Sequence, residues 1–417
     1  MVVLRVMLAL SATPALAAAQ ESPFTLPAPT GRANVGTTSW VLVDSTRRES
    51  FATSGAARAV EVVAWYPTRI SPSASARAPY LREGTVEAAT FAAAMRKPGA
   101  FDHLGAVETH SSMDAPPSGR PKSLPVLVFS HGYTGLVSAY SALLEDLASH
   151  GYVVLSIAHS YEAVAARQSD GSVATMLDSA GRLRQGILDV LGEWRDEDST
   201  MARVTRAKTE SEQLRILKGY IDGVPKTNAV IDRWVADTRF VLDQFARATG
   251  GVAGELHRLA DLDRIGVFGH SMGGVVAGEF CLRDERCRAG LNLDGIPQSG
   301  SMIASRMKRP FMMVYSARPG RLGASDVIYR RAASRYYRVD VDDTRHVDFS
   351  DMIFWGGPLK AAGASGSIAP NRAVELTRLI VRQYFDQELR GVRSPFLKGT
   401  LRLPDAHARL PSPTNAR

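Results

Sequence analysis

Apolar runs recur along the chain, each closed by a polar or glycine-containing turn. They are "LPVLVF" from Leu124, "YVVLSIAHS" from Tyr152, "RIGVF" from Arg264, "RAGLNLDG" from Arg288, "RPFMMVYSA" from Arg309 and "SRYYRVDVDDTRH" from Ser334. Continuous apolar runs of this length read as strands buried on both faces. Residues of helical spacing follow several of them, from about Ser138 to Ser149 and from Met272 to Phe280. Strand–helix alternation predicts an α/β fold, a mostly parallel central sheet with helices on both faces. "WVLVDS" from Trp40 and "AVEVVAWYP" predict two antiparallel strands ahead of it, and residues 71–121 read as irregular loop with one short helix near Phe91.

One long interruption runs from Tyr161 to Thr227. Leu183, Ile187, Val190, Leu191 and Trp194 form one apolar stripe, and Leu214, Leu217 and Ile221 suggest a second helix. A helix must bury such a stripe. This helical insertion lies where a lid over a site would be placed, and packing against the sheet edge is the plainer alternative. The expected organisation is a leader at 1–19, an extended segment at 20–39, one domain at 40–390 with the insertion at 161–227, and a tail at 391–417.

The chemistry concentrates at Gly269-His270-Ser271-Met272-Gly273, a Gly-x-Ser-x-Gly turn between a strand and a helix. That context marks a nucleophile elbow, in which a strained turn exposes the serine at a helix N-terminus. A serine nucleophile needs a histidine base oriented by a carboxylate. Only His346 and His407 follow Ser271, and His407 sits in the Pro-rich "LRLPDAHARLPSP". His346 follows a strand, where this architecture builds its sites, so it is the expected base. Asp294 ends "AGLNL" and is the favoured acid, with Asp326 as reserve. The oxyanion donors are expected to be the backbone N–H groups of Met272 and, in "SHGYTG", Tyr133. His131, His159 and His270 read as structural.

Composition adds little that changes this picture. The 417 residues are 45% hydrophobic and 22% charged, as in ordinary globular chains. The net charge of +8 is Arg-biased and lacks a basic stripe interleaved with aromatics, which argues against nucleic-acid binding and allows weak contact with anionic membrane surfaces. "MVVLRVMLALSATPALAAAQ" has the pattern of an export signal cleaved near Ala17 or Ala19. Cys281 and Cys287 are the only cysteines. They could close a small disulfide loop in an exported protein, or remain two buried thiols. No metal-site or cofactor motif is present.

Taken together, "VLVFSHGYTGLVSAYSALLEDLASHGYVVLSIAHS", "GHSMGG", "LDG" at Leu293–Gly295, "HVDFSD", "VVAWYPT" and "DRWVADTRFVLDQF" resemble the platelet-activating factor acetylhydrolase family of α/β-hydrolases, in the form of an exported bacterial member. The resemblance runs from Trp40 to about Leu389 and places the family's nucleophile, acid and base on Ser271, Asp294 and His346. It implies an esterase without metal or cofactor that removes short or oxidised acyl chains from glycerophospholipids. Relatives of this type also include polyester and general short-chain ester hydrolases. A binding protein on a retained hydrolase fold is a further alternative, against which a complete triad in the right order counts. The expected partner is a small-molecule ester or lipid substrate, and nothing in the residues sets an oligomeric state.

Overall fold

The computed structural model describes residues 24–52, 55–71, 73, 76–119 and 123–409. The strands are β1 Asn34–Arg48, β2 Ala57–Thr68, β3 Arg77–Pro79, β4 Glu108–Met113, β5 Leu124–Ser130, β6 Val153–His159, β7 Ala165–Arg167, β8 Val173–Thr175, β9 Ala260–His270, β10 Cys287–Leu293, β11 Pro310–Ser316, β12 Arg335–Val341 and β13 Ala406–Arg409. Eleven of them form one sheet in the order β13-β12-β11-β10-β9-β5-β6-β2-β1-β4-β3, while β7 and β8 make a separate hairpin. From β6 to β12 every neighbouring pair is parallel. Every residue of β5 and β6 is buried, so alternate side chains on both faces of these strands are covered.

The helices that matter for the site are α1 Thr85–Ala94, α2 Ser141–Ser149, α3 Gln185–Glu193, α4 Glu197–Arg206, α5 Glu210–Asp222, α6 Pro225–Ala246, α7 Met272–Arg283 and α8 Pro370–Arg390. They include two packed pairs, α2 with α8 and α6 with α7. Of the apolar stripe at 183–194, Ile187, Val190 and Leu191 are buried on α3, Trp194 caps its C-terminus, and Leu183 precedes it in a bridge with Leu177. The second expected helix is α5. Between them lies α4, missed because its sequence "EDSTMARVTR" is mostly polar.

Two readings of the chain's margins need correction. The sheet begins at Asn34 rather than Trp40, and residues 406–409 of the expected tail pair antiparallel with β12. Inside the stretch read as loop, β3 and β4 extend the sheet past β1. These outlying segments ("NVGTTS", "RAP", "ETHSSM", "AHAR") are short or polar, so the partner strand rather than their own hydrophobicity decides their conformation. The candidate leader at 1–19 lies outside the described residues. Among the described residues no helix is long and apolar enough to cross a membrane.

Cys281 at the end of α7 and Cys287 at the start of β10 are joined, with Cα atoms 5.0 Å apart. Closing so short a loop in the unfolded chain is worth about 2 kcal/mol on the chain-entropy account. Reductant is therefore expected to lower the melting temperature by about 2 °C. Alkylation of folded, unreduced protein followed by intact-mass analysis checks the bond, and two modified thiols would contradict it.

Candidate active site

The site grows from strand register. Ser130 of β5 pairs with Gly269 of β9, His270 pairs with Leu293 of β10, and Leu293 pairs with Val314 of β11. The residues just beyond these strand ends are therefore neighbours. The chain leaves β5 toward β6 on one side while β9 lies on the other, so the crevice opens where the strand order reverses.

Ser271 occupies the turn with φ 56 and ψ −121, a conformation that costs a non-glycine residue of order 1–3 kcal/mol. Its N–H donates to Leu293 O at 2.8 Å, which anchors the strained turn to β10. The flanking glycines are dictated by contact: a Cβ on Gly269 would lie 2.3 Å from the Gly273 carbonyl carbon, and one on Gly273 would lie 2.0 Å from Ser130 O. The strand and α7 pass too closely for any side chain there.

Ser271 Oγ donates to His346 Nε2 at 2.9 Å, and His346 Nδ1–H donates to Asp294 Oδ2 at 2.7 Å. Asp294 is itself held on all sides. Its Oδ1 accepts from Ser316 N at 2.9 Å, and its Oδ2 accepts from Ser316 Oγ at 2.9 Å and from Arg318 Nη2 at 2.8 Å. Burial would push this carboxyl up, but the Arg318 guanidinium, the His346 bond and the Ser316 N–H hold it well below the usual carboxylate range. His346 is pushed down by burial and by Arg318, against the opposing pull of Asp294, which keeps it neutral and able to accept a proton. The reserve acid Asp326 is engaged elsewhere, by Tyr315, Tyr336 and Arg338.

His270 ties the pieces together. Its Nε2–H donates to His346 O at 2.8 Å, and its Nδ1 accepts from Tyr140 OH, which in turn accepts the Gly132 N–H. Burial pushes His270 down to about 3, so it stays neutral and serves as a strut. His131 accepts His159 N–H at Nε2 and donates from Nδ1 to Gly132 O, shaping the loop that carries Tyr133. His159 is stacked on Trp234 and bonded to Asp237, which also binds Arg58. The loop approaches Ser271 closely, since a Cβ on Gly132 would lie 3.3 Å from Ser271 Cβ. Tyr133 and Met272 both line the cavity at Ser271.

Two cavities meet at Ser271 and His346. One, of roughly 450 Å³ including space open to solvent, has a mixed lining, with Trp194, Val275 and Ile296 beside Glu197, Gln298 and Arg318. The other, of roughly 520 Å³, is walled by Phe91, Met95, Val347, Met352 and Leu359. The insertion thus reaches the site through Trp194 and Glu197, which border the mixed cavity. The more uniformly apolar wall comes from α1 and the segment after His346. Trp194 donates its indole N–H to Thr227 Oγ1 at 3.0 Å and packs edge-on against Tyr133.

Reading the sequence missed Ser316, Arg318 and Tyr140. The first two stand at the C-terminal end of the strand next to Asp294, a position that could have singled them out. Among the described residues no cluster of His, Cys, Asp and Glu side chains is arranged to hold a metal ion.

A parallel sheet reversing its order at β5 and β9, with a strained serine turn at that point, defines an α/β-hydrolase. The family model described as platelet-activating factor acetylhydrolase, isoform II, matches residues 19–399, and the chain belongs to that family. It is 27% identical over 311 residues to the dog platelet-activating factor acetylhydrolase, covering 70% of this chain and 63% of that one. To the cattle protein of the same name it is 29% identical over 204 residues, covering 46% of this chain and 40% of that one. These matches thus span less than two thirds of either relative's length. Among solved structures, a ferulic acid esterase from Streptomyces cinnamoneus superposes with a TM-score of 0.65 at 25% identity, covering 90% of this chain and 95% of that one.

Proposed function

We propose that the chain is a serine esterase that cleaves carboxylic esters through an acyl-enzyme on Ser271. The observation that carries this reading is the continuous bond chain from Ser271 Oγ through His346 to Asp294 in a strained elbow. His346 takes the serine proton as Oγ attacks the ester carbonyl, and later returns it to the leaving alkoxide. Asp294 fixes the tautomer and stabilises the imidazolium, while the Tyr133 and Met272 N–H groups are assigned to the oxyanion. Water then releases the acid by the same steps.

The proposed substrates are amphiphilic esters, in particular phospholipids carrying a short acyl chain. An apolar cavity and a mixed one carrying Glu197, Gln298 and Arg318, sharing one nucleophile, suit a molecule with one apolar and one polar arm. The family membership favours the lipid. A net charge of +8 would favour approach to anionic lipid surfaces, and export with a leader cleaved near Ala17 or Ala19 belongs to the same reading. The test is hydrolysis of p-nitrophenyl esters, an acetyl phospholipid and a polyester film side by side. Turnover of the phospholipid at a rate comparable to the short esters supports the reading, and film hydrolysis without phospholipid turnover would replace it with a polyester hydrolase.

Chain-length preference tests the cavity assignment. Each methylene buried in the apolar cavity contributes about 0.8 kcal/mol, a factor of about four in kcat/KM. Leu359→Trp should therefore depress kcat/KM for a hexanoyl ester well below that for an acetyl ester or, if the leaving group lies there, discriminate against long alcohols. Trp194→Ala, in the mixed cavity, should change the chain-length ratio less. A ratio altered by Trp194→Ala and not by Leu359→Trp would reverse the assignment.

A further inference from the structure

Arg318 has no part in the serine–histidine–aspartate scheme, yet it is buried against it. Its side chain is 9% exposed and its Nη2 lies 2.8 Å from Asp294 Oδ2, the same oxygen that receives His346 Nδ1–H. Nη2 also approaches Asp294 O at 3.4 Å. A full positive charge therefore shares one carboxylate oxygen with the imidazole. Attraction between a carboxylate and an imidazolium is what stabilises the protonated base, and a cation on the same oxygen offsets part of it.

We propose that Arg318 is a positioning residue of the triad, resting on the esterase reading above. It keeps Asp294 ionised and oriented while weakening that carboxylate's hold on the imidazole proton. His346 then works as a base in more acidic medium than it would without the cation.

Arg321, from the same loop as Arg318, adds to its effect on His346. Glu197 and Asp198 of α4 both bind Arg321, so the insertion supplies the counter-charge on that side. His270, beneath the ring, is neutral. On the base's own loop, Arg345 donates its N–H to Asp348, whose carboxyl is pushed up to about 6 by burial. Asp348 titrates near the range of interest, so the imidazole itself must be observed as well as the rate.

The experiment compares wild type with Arg318→Gln and Arg318→Lys, reading the acid limb of kcat/KM for a p-nitrophenyl ester. The His346 ring is titrated in parallel by NMR. Arg318→Gln should move both the limb and the ring titration upward by about one pH unit, while Arg318→Lys, retaining the charge, stays near wild type. A folded Arg318→Gln with neither shift, or an Arg318→Lys shifted as far, would overturn the inference. If Arg318→Gln does not fold, Arg318→Met decides in its place, since it also removes the charge and should move both readings upward, and an absent or downward shift contradicts the account. Should Ser271→Ala retain esterase activity, the acyl-enzyme reading at Ser271 fails separately, and the ring titration still decides on Arg318.

Discussion

Ser271→Ala is expected to lower kcat for every hydrolysed ester by on the order of 10⁶, because nucleophile and base act as one unit. The loss should fall on kcat and leave substrate binding nearly intact, since the hydroxyl borders both cavities without filling either. Folding should survive the change. The turn is held by the Leu293 carbonyl and by the glycine contacts, none of which uses the hydroxyl. Steady-state rates on an acetyl ester, with binding followed by titration of a slow substrate, separate the two effects. A variant that keeps more than a small fraction of wild-type turnover would remove Ser271 from the chemistry.

Asp294→Asn should cost on the order of 10⁴ in turnover. Asparagine has one acceptor where the aspartate offers two. Ser316 N–H needs an acceptor at one position, and Arg318 Nη2 and Ser316 Oγ–H need one at the other. With its oxygen on Ser316 N, the amide points N–H at His346 Nδ1, favours the tautomer protonated at Nε2, and leaves no lone pair for the serine proton. With its oxygen on Arg318, it loses the bond to Ser316 N. Either way the base is disabled or displaced. The measurement is kcat for Asp294→Asn beside Asp326→Asn. A mild effect at Asp294 with a severe one at Asp326 would move the acid to the reserve position, despite the tyrosines and arginine that hold Asp326.

How much of this could be read from the residues follows from what each segment depends on. The runs that became β5, β6, β9, β10, β11 and β12 are apolar because both of their faces are covered, and that burial is written in composition. The elbow is legible because close passage of strand and helix excludes side chains at Gly269 and Gly273. By contrast β4 ("ETHSSM") and β13 ("AHAR") are strands because a neighbour offers an open edge, a property of the fold and not of the segment. The apolar cavity was equally hidden. Phe91 and Met95 approach Met352 and Leu359 across more than half the chain's length, and no local periodicity records that meeting. Arg318 illustrates the same limit within the site, since an arginine past a strand end looks solvated until the fold sets it against Asp294.

The most direct test of the account is covalent. A fluorophosphonate incubated with the disulfide-bonded protein should inactivate it with one adduct per chain. Peptide mapping should place that adduct on Ser271, and raising the concentration of an acetyl ester should slow labelling. His346→Gln should abolish labelling, because the serine then has no base. Inactivation with the adduct on another residue, or full esterase activity in a preparation that takes up no label, would contradict an acyl-enzyme mechanism at Ser271.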